Sequence, residues 1–312
     1  MIPLSIFTGN ANRPLAAAVC RHLNIHDGQA EVFQFSNENI FVKINENIRG
    51  HDVFIIQPFS HPVNTSIMEL LIMIDACKRA SARRITAVIP YYAYGRSDKK
   101  DQPRVPITAR LIADCISVAG ASRLLTMDLH AGQIQGFFNI PVDELSASKI
   151  LANYWRGKRI PNLTVVATDA GFAKKARNFA ILMDAPLAIV EKQRMGNDGR
   201  TEARGVIGDV KGRNVLIVDD EIDTASSIVQ ALQLVKKVGA LDVYASAVHG
   251  VLSGPAIQRL REAQFTEIAL TDTIPLPEEK RPPFITILSV ADLFADAIMH
   301  IYSDQSVSQL FN

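Results

Sequence analysis

Val215-Leu216-Ile217-Val218-Asp219-Asp220-Glu221-Ile222-Asp223-Thr224-Ala225-Ser226-Ser227 is the stretch that decides how this chain folds. Four apolar residues give way to a run of carboxylates, then to small hydroxyl residues, then to an apolar helical pattern. The order predicts a buried strand, a loop and the start of a helix. In an open parallel sheet, ligands bind outside the carboxyl ends of the strands. A helix N-terminus placed there offers unpaired N–H groups and a positive dipole end to a phosphate. The adjacent carboxylates repel a phosphate, so they need another partner. Vicinal hydroxyls and Mg²⁺ are the partners that suit them. Phosphate, diol and metal together describe a sugar phosphate. A plainer account makes Asp219 and Asp220 a solvated strand end with Asp223 or Thr224 as N-cap. That account leaves unexplained why paired acids directly follow a buried strand, where desolvation is costly.

Outward from this stretch, strand and helix patterns alternate almost throughout, which argues for parallel sheets of the α/β kind. Val53–Ile56 leads through a loop to a helical run from Ser66 to about Ala80, then to a strand at Ile85–Ile89. Val215–Val218 leads through its loop to a helix ending near Lys237, then to a strand at Val243–Val248. The similar spacing of these two units predicts two related domains. The first has Gln57-Pro58-Phe59-Ser60-His61-Pro62 where the second has its acids, so only the C-terminal half is expected to keep sugar-phosphate chemistry in this loop. A boundary is expected within 141–148, where Pro141-Val142-Asp143-Glu144 breaks the pattern and Ser146 opens a helix. The tail from Leu293 reads as an amphipathic helix ending before Gln305. Arg96 to Arg104, polar and basic with Pro103 inside it, is a candidate mobile loop.

Composition narrows the function classes. The 312 residues are 48% hydrophobic, with no run near the roughly 18 apolar residues that span a bilayer. The Met1-Ile2-Pro3-Leu4-Ser5 start lacks the features of a signal peptide, and a cytoplasmic protein is expected. A net charge of +1 provides no general field for nucleic acid. Cys20, Cys77 and Cys115 are too scattered for a disulfide framework or a zinc site. Neither a Gly-x-x-x-x-Gly-Lys-Ser/Thr loop nor a Gly-x-Gly-x-x-Gly turn occurs, so any nucleotide is bound by another device. Glu191-Lys192-Gln193-Arg194 follows an apolar run, and Lys192 and Arg194 share one side of an extended backbone, spaced to reach one anion. From the residues alone, a solvated basic pair on a surface turn accounts for them better.

The acid loop resembles the phosphoribosyl-diphosphate binding motif of the type I phosphoribosyltransferase fold. Nearly the whole chain resembles the ribose-phosphate diphosphokinase family. The resemblance includes Phe7-Thr8-Gly9-Asn10, Pro90-Tyr91-Tyr92 with Tyr94-Gly95-Arg96, Pro106-Ile107-Thr108-Ala109, Thr168-Asp169-Ala170-Gly171 and Ser306-Val307-Ser308. The run Met127-Asp128-Leu129-His130-Ala131-Gly132-Gln133-Ile134-Gln135-Gly136-Phe137-Phe138 is close to diagnostic. The resemblance implies an α/β protein of two tandem type I phosphoribosyltransferase-like domains, 1–145 and 146–292, each with a mainly parallel sheet flanked by helices. The helix within 293–312 is then expected to pack back on the first domain. The implied reaction is Mg²⁺-dependent diphosphoryl transfer from ATP to the 1-hydroxyl of ribose 5-phosphate, giving AMP.

By the same resemblance, Lys192 is the principal catalytic residue with Arg194 beside it, Arg194 also touching ribose 5-phosphate. Asp219 and Asp220 take the ribose hydroxyls, and Asp223, Thr224, Ala225, Ser226 and Ser227 form the phosphate loop. Phe35 stacks on the adenine, with Asn37, Glu38 and Asn39 near the base edge and Arg96 and Ser97 toward the phosphates. His130 and Asp169 are the implied Mg²⁺ sites. Several positions depart from the family pattern. The acid after Phe35 has moved to Glu38, leaving Asn39, which bears on nucleotide selectivity. Phe172 replaces a second Gly, Ala225-Ser226-Ser227 replaces Gly-Gly-Thr, and Gln193 replaces the middle Arg of a Lys-Arg-Arg segment. The family suggests a homohexamer, and Ser306, Ser308 and Phe311 match a subunit-interface site for phosphate or ADP, from which Asn47 and Gln102 depart. No nucleic-acid or membrane partner is implied. A non-catalytic, synthetase-like regulatory subunit is the alternative; loss of Lys192, Arg194, His130 or the acid pair would favour it, and all are present. A phosphoribosyltransferase using the same loop is a further one, disfavoured by the run around His130.

Overall fold

The computed structural model describes residues 2–195 and 200–311, with side chains outside 192–204, 280 and 311. The chain divides into two units: Met1–Ser146 with Thr273–Pro275 and Ser289–Asn312, and Ala147–Asp272 with Leu276–Leu288. Among the described residues no helix is long and apolar enough to cross a membrane.

The first unit begins with β1 (Leu4–Thr8), α1 (Arg13–Leu23), β2 (Ala30–Gln34), β3 (Ile40–Ile44), β4 (Asp52–Ile56) and α2 (Val63–Arg79). It continues with β5 (Arg84–Ile89), α3 (Thr108–Ala119), β6 (Arg123–Met127), a 3₁₀ turn (Gly132–Phe137) and β7 (Val142–Leu145). Five strands form a parallel sheet in the order β1-β4-β5-β6-β7, while β2 and β3 make a separate antiparallel ribbon. Every residue of β4 is buried, the pattern of a strand covered on both faces. Asn12 caps α1 by accepting a bond from Leu15 N–H at 3.2 Å, and Asn24 closes the helix in the left-handed conformation (φ 54°).

The second unit contains α4 (Ser148–Lys158), β8 (Leu163–Ala167), α5 (Ala173–Met183), β9 (Leu187–Met195) and β10 (Arg200–Ile207). There follow β11 (Asn214–Ile222), α6 (Ser226–Val238), β12 (Val243–Gly250), α7 (Ala256–Ala263), β13 (Glu267–Thr271) and β14 (Ile285–Leu288). Its sheet runs β10-β9-β8-β11-β12-β13-β14, parallel except for β10 against β9. From β8 the chain builds outward to β9 and β10; from β11 it builds the other way. The strand order therefore reverses between β8 and β11, the kind of crevice where α/β sheets place ligands. The first unit's order β1-β4-β5-β6-β7 runs in one direction and has no such reversal. The last helix, α8 (Ala291–Tyr302), lies in the first unit, where it packs on α1; His22 faces Asp292 and Asp296 at 2.9 and 3.3 Å.

The architecture is the α/β one expected, with local corrections. The strand β11 does not stop at Val218. It runs through the acids to Ile222, with Asp219 opposite Ala247 and Glu221 opposite His249 on β12. Pairing with a buried neighbour overrides the poor strand propensity of Asp and Glu. Val142–Leu145, expected as a break, is the edge strand β7, and α4 opens at Ser148 instead of Ser146. The helix α2 starts at Val63, ahead of the expected Ser66.

Candidate functional site

In the second unit the site grows from the ends of β8 and β11. Their register pairs Ala167 with Val218, so the next residues, Thr168 and Asp219, meet side by side. Thr168 Oγ1 donates to Asp219 Oδ2 at 2.7 Å, and Asp220 N–H donates to Asp219 Oδ1 at 3.0 Å. Asp220 is buried, and its Oδ1 accepts from Glu221 N–H at 2.9 Å. Burial, and after it the neighbouring charge of Asp220, raises the Asp219 carboxyl well above the usual carboxylate range; the Thr168 hydroxyl opposes that rise.

Beyond Ile222 the loop Asp223-Thr224-Ala225 turns into α6. It is held by the segment between β12 and α7. Leu252 N–H donates to Ile222 O at 2.9 Å and Ser253 N–H to Asp223 O at 3.1 Å. The Ser253 hydroxyl reaches the Asp223 carboxylate, and Arg259 Nη1 donates to Thr224 O at 3.0 Å. Neither Asp223 nor Thr224 is the N-cap. That position falls to Ala225, left-handed at φ 62°, with no side-chain cap on the helix. Ser226 and Ser227, both exposed, form the first turn. A 13-residue helix thus presents its first N–H groups without a side-chain cap, next to two exposed hydroxyls.

Asp169, half-buried, follows Thr168, and its Oδ1 accepts from Phe172 N–H at 3.0 Å. A Cβ on Gly171 would stand 3.1 Å from that same oxygen, so a side chain there would crowd it. Phe172 supplies the turn's N–H as any residue would, so its departure from Gly leaves the carboxylate in place. Lys192 and Arg194 occupy alternate positions of β9, opposite Ala203 and Thr201 of β10. The strand continues past both rather than ending before them, and their side chains lie outside the described residues.

In the first unit, the segment that carries Arg96 is brought against His130. Gly95 lies against His130, since a Cβ on it would stand 3.3 Å from the His130 Cβ. Gln133 Nε2 donates to the buried Asp98 at 2.7 Å, tying the 3₁₀ turn to the Tyr94–Asp98 segment. Ser97 N–H donates to Tyr94 O at 2.9 Å, and Ser97 O accepts from Ala109 N–H at 3.2 Å. Thus the start of the expected mobile loop is anchored, while Lys99, Lys100 and Arg104 are exposed. Phe35, Asn37, Glu38 and Asn39 form the exposed tip of the β2–β3 ribbon. Phe35 meets Phe33 and Phe41 with ring centroids 5.0 and 5.9 Å apart. Asn37 Oδ1 accepts from Asn39 N–H at 3.2 Å, and Glu38 sits at φ 68°.

At the strand-end position matching Asp219, this unit has Gln57, fully buried. Its Nε2 donates to Glu69 Oε2 at 2.7 Å, its Oε1 accepts from Ala11 N–H at 3.1 Å, and Gly9 lies so close that a Cβ would collide with it. Asn10 completes the network through Glu69. The polar residues here satisfy one another within the fold. Sequence reasoning missed Thr168, Ser253 and Arg259 as supports of the site. Only strand register could have identified the first, although Ser253-Gly254-Pro255 is a turn signal in plain view.

Comparison with known proteins adds a second line. Residues 4–120 match the N-terminal domain of ribose phosphate pyrophosphokinase, and 200–312 match the phosphoribosyl synthetase-associated domain. The chain is 53% identical over 309 residues to the ribose-phosphate pyrophosphokinase of Caldanaerobacter subterraneus, covering 99% of this chain and 98% of that one. Identity to the same-named protein of Clostridium acetobutylicum is 51% over 310 residues, covering 99% and 97%. The crystal structure of phosphoribosylpyrophosphate synthetase from Mycobacterium smegmatis superposes with a TM-score of 0.91 at 42% identity, over 97% of this chain and 99% of that one. Two phosphoribosyltransferase-like α/β domains, an acid pair and an uncapped loop at one sheet's reversal point, and full-length likeness at this level converge: the chain belongs to the ribose-phosphate pyrophosphokinase family.

Proposed function

We propose that this protein transfers the diphosphoryl group of ATP to the 1-hydroxyl of ribose 5-phosphate, giving 5-phosphoribosyl 1-diphosphate and AMP. The observation that carries the reading is the reversal point between β8 and β11, where an acid pair stands beside a helix start with no side-chain cap. Asp219 and Asp220 accept the ribose hydroxyls, and Asp223 to Ser227 surround the 5-phosphate. O1 attacks the β-phosphorus and its hydroxyl proton passes to solvent, the bond from that phosphorus to the α-phosphate oxygen breaks, and AMP leaves. Lys192 and Arg194 stabilise charge on the transferring oxygens, since this chemistry rests on positioning and cations. Phe35 stacks on the base, Asn37, Glu38 and Asn39 line its edge, and Arg96 and Ser97 face the phosphates.

Mg²⁺ fits the donors present. It is held by one or two carboxylates together with substrate phosphates and waters, and needs no protein cage. Among the described residues no three His, Cys, Asp or Glu side chains form one. Asp169 is the natural carboxylate and His130 the second candidate; the ion would neutralise phosphate charge. We place the protein in the cytoplasm, where its three free thiols stay reduced, and in a homohexamer. For a phosphate or ADP effector the candidate is the segment of Ser306 and Ser308, which lines a cavity of about 510 Å³ in the first unit together with Arg123, Asp143 and Asp304.

The test is AMP release from ATP and Mg²⁺, with and without ribose 5-phosphate, comparing wild type with Lys192→Ala. Release that needs the sugar phosphate and is largely lost in the variant is expected. Full activity in Lys192→Ala would refute its role. No AMP from wild type, with phosphate present and other nucleotides tried, would put the regulatory-subunit reading first.

A further inference from the structure

We infer that Thr168 is a positioning residue for ribose 5-phosphate, acting by holding the Asp219 carboxylate at the angle the ribose hydroxyls require. The inference rests on the reaction proposed above. Three other buried threonines of this fold give their hydroxyls to main-chain carbonyls. Thr126 donates to Ile89 O at 2.8 Å, Thr271 to Val248 O at 2.8 Å, and Thr164, on the same strand as Thr168's approach, to Asp209 O at 3.2 Å. These bonds serve the sheet. Thr168, with no exposed surface, instead gives its hydroxyl to a carboxylate of the candidate site at 2.7 Å.

The geometry explains what that bond does. An Asp carboxylate turns readily about its last torsion, whose well is broad. Asp219 is gripped at both ends, by the Thr168 hydroxyl on Oδ2 and by Asp220 N–H on Oδ1. The second grip is local, one residue away, and moves with the strand end. The first reaches from β8 to β11 and fixes the carboxylate against a neighbouring strand. Each carboxylate oxygen keeps acceptor capacity beyond one bond, so both can still receive ribose hydroxyls while held. A donor at residue 168 also links the strand end before Asp169 to the acid pair, spanning the reversal point. The bond ends on Asp219, which the proposed reaction assigns to the ribose rather than to the nucleotide, so its loss should register on ribose 5-phosphate first.

Thr168→Val keeps the shape and removes the hydroxyl; Thr168→Ser keeps the hydroxyl and removes the methyl. With ATP saturating, Thr168→Val is expected to raise KM for ribose 5-phosphate about tenfold, the weight of one hydrogen bond to a charged group. KM for ATP should be unchanged, and Thr168→Ser should lie within about twofold of wild type for both substrates. A merely structural threonine would move neither KM selectively. Should Thr168→Val fail to fold, Thr168→Ala replaces it with the same expectation. Wild-type KM for ribose 5-phosphate in the hydroxyl-free variant, equal damage from Ser and Val, or a parallel rise in KM for ATP would each overturn the inference while leaving the proposed reaction standing. A wild type that makes no AMP would overturn both.

Discussion

Replacing Arg84 separates two ion pairs that look alike on paper and differ in environment. Arg84 opens β5 and reaches Asp52 at the start of β4, with Nε 3.0 Å from Oδ2 and Nη2 on the same oxygen. Its Nη1 lies 2.7 Å from Asp304, just beyond α8. The Asp52 side chain is 2% exposed, the Asp304 side chain 75%. The other Asp52 oxygen, Oδ1, is buried without a hydrogen-bond partner. Arg84→Met therefore strands a buried carboxylate. Breaking a buried pair costs about 3–5 kcal/mol, and the partial exposure of Arg84 argues for the low end, about 3 kcal/mol. For a unit of this size that is roughly 6–12 °C in Tm. Asp304→Asn removes only a solvated contact and should not shift Tm measurably. Arg84→Met with Asp52→Leu removes the stranded charge and should be less damaged than Arg84→Met alone. Thermal unfolding by circular dichroism on wild type and these three variants measures this. Equal small shifts for Arg84→Met and Asp304→Asn, or a double variant no more stable than Arg84→Met alone, would refute the reasoning.

Three further outcomes follow from the site and the core. Ala225 holds a left-handed conformation at φ 62°, so Ala225→Gly should stabilise the protein by about 0.5–1 kcal/mol in urea titration, the relieved strain exceeding the added freedom of the unfolded chain. Asp219 is raised in the fold, so its stabilisation is complete below the unfolded value near 4 and is lost as pH climbs through the folded value. Asp219→Asn does not titrate; its Tm advantage over wild type should grow from pH 4.5 to pH 8 while activity falls, and a constant difference would contradict the burial of that charge. Burial pushes the Cys20 thiol up to about 11 and Cys77 up to about 12, so at pH 8 an alkylating reagent should label the half-buried Cys115 first and Cys77 only on unfolding, as read by mass spectrometry.

The alternation of apolar runs and helical patterns was enough to place parallel sheets, and the acids after Val215–Val218 marked the strand that borders the sheet's reversal point. What failed to show in the sequence depended on pairing. Asp219 to Ile222 stay extended because β12 is beside them, and Val142–Leu145 is a strand because β6 offers an edge; neither has a local signature. The hydroxyl of Thr168 becomes meaningful only once β8 and β11 are in register. The left-handed conformation of Ala225, a residue that resists φ > 0, has no local signature either. Gln57 stands out in the sequence as an amide where the second unit has an acid, yet the network that joins it to Glu69 and Asn10 is a matter of tertiary contact.

The most direct test of the account is to follow ³¹P resonances of ATP during reaction with ribose 5-phosphate and Mg²⁺. The account predicts AMP and a C1 diphosphate in equal amounts, with the β and γ phosphorus atoms leaving together. ADP as the nucleotide product, or AMP formed while ribose 5-phosphate stays unconsumed, would contradict it.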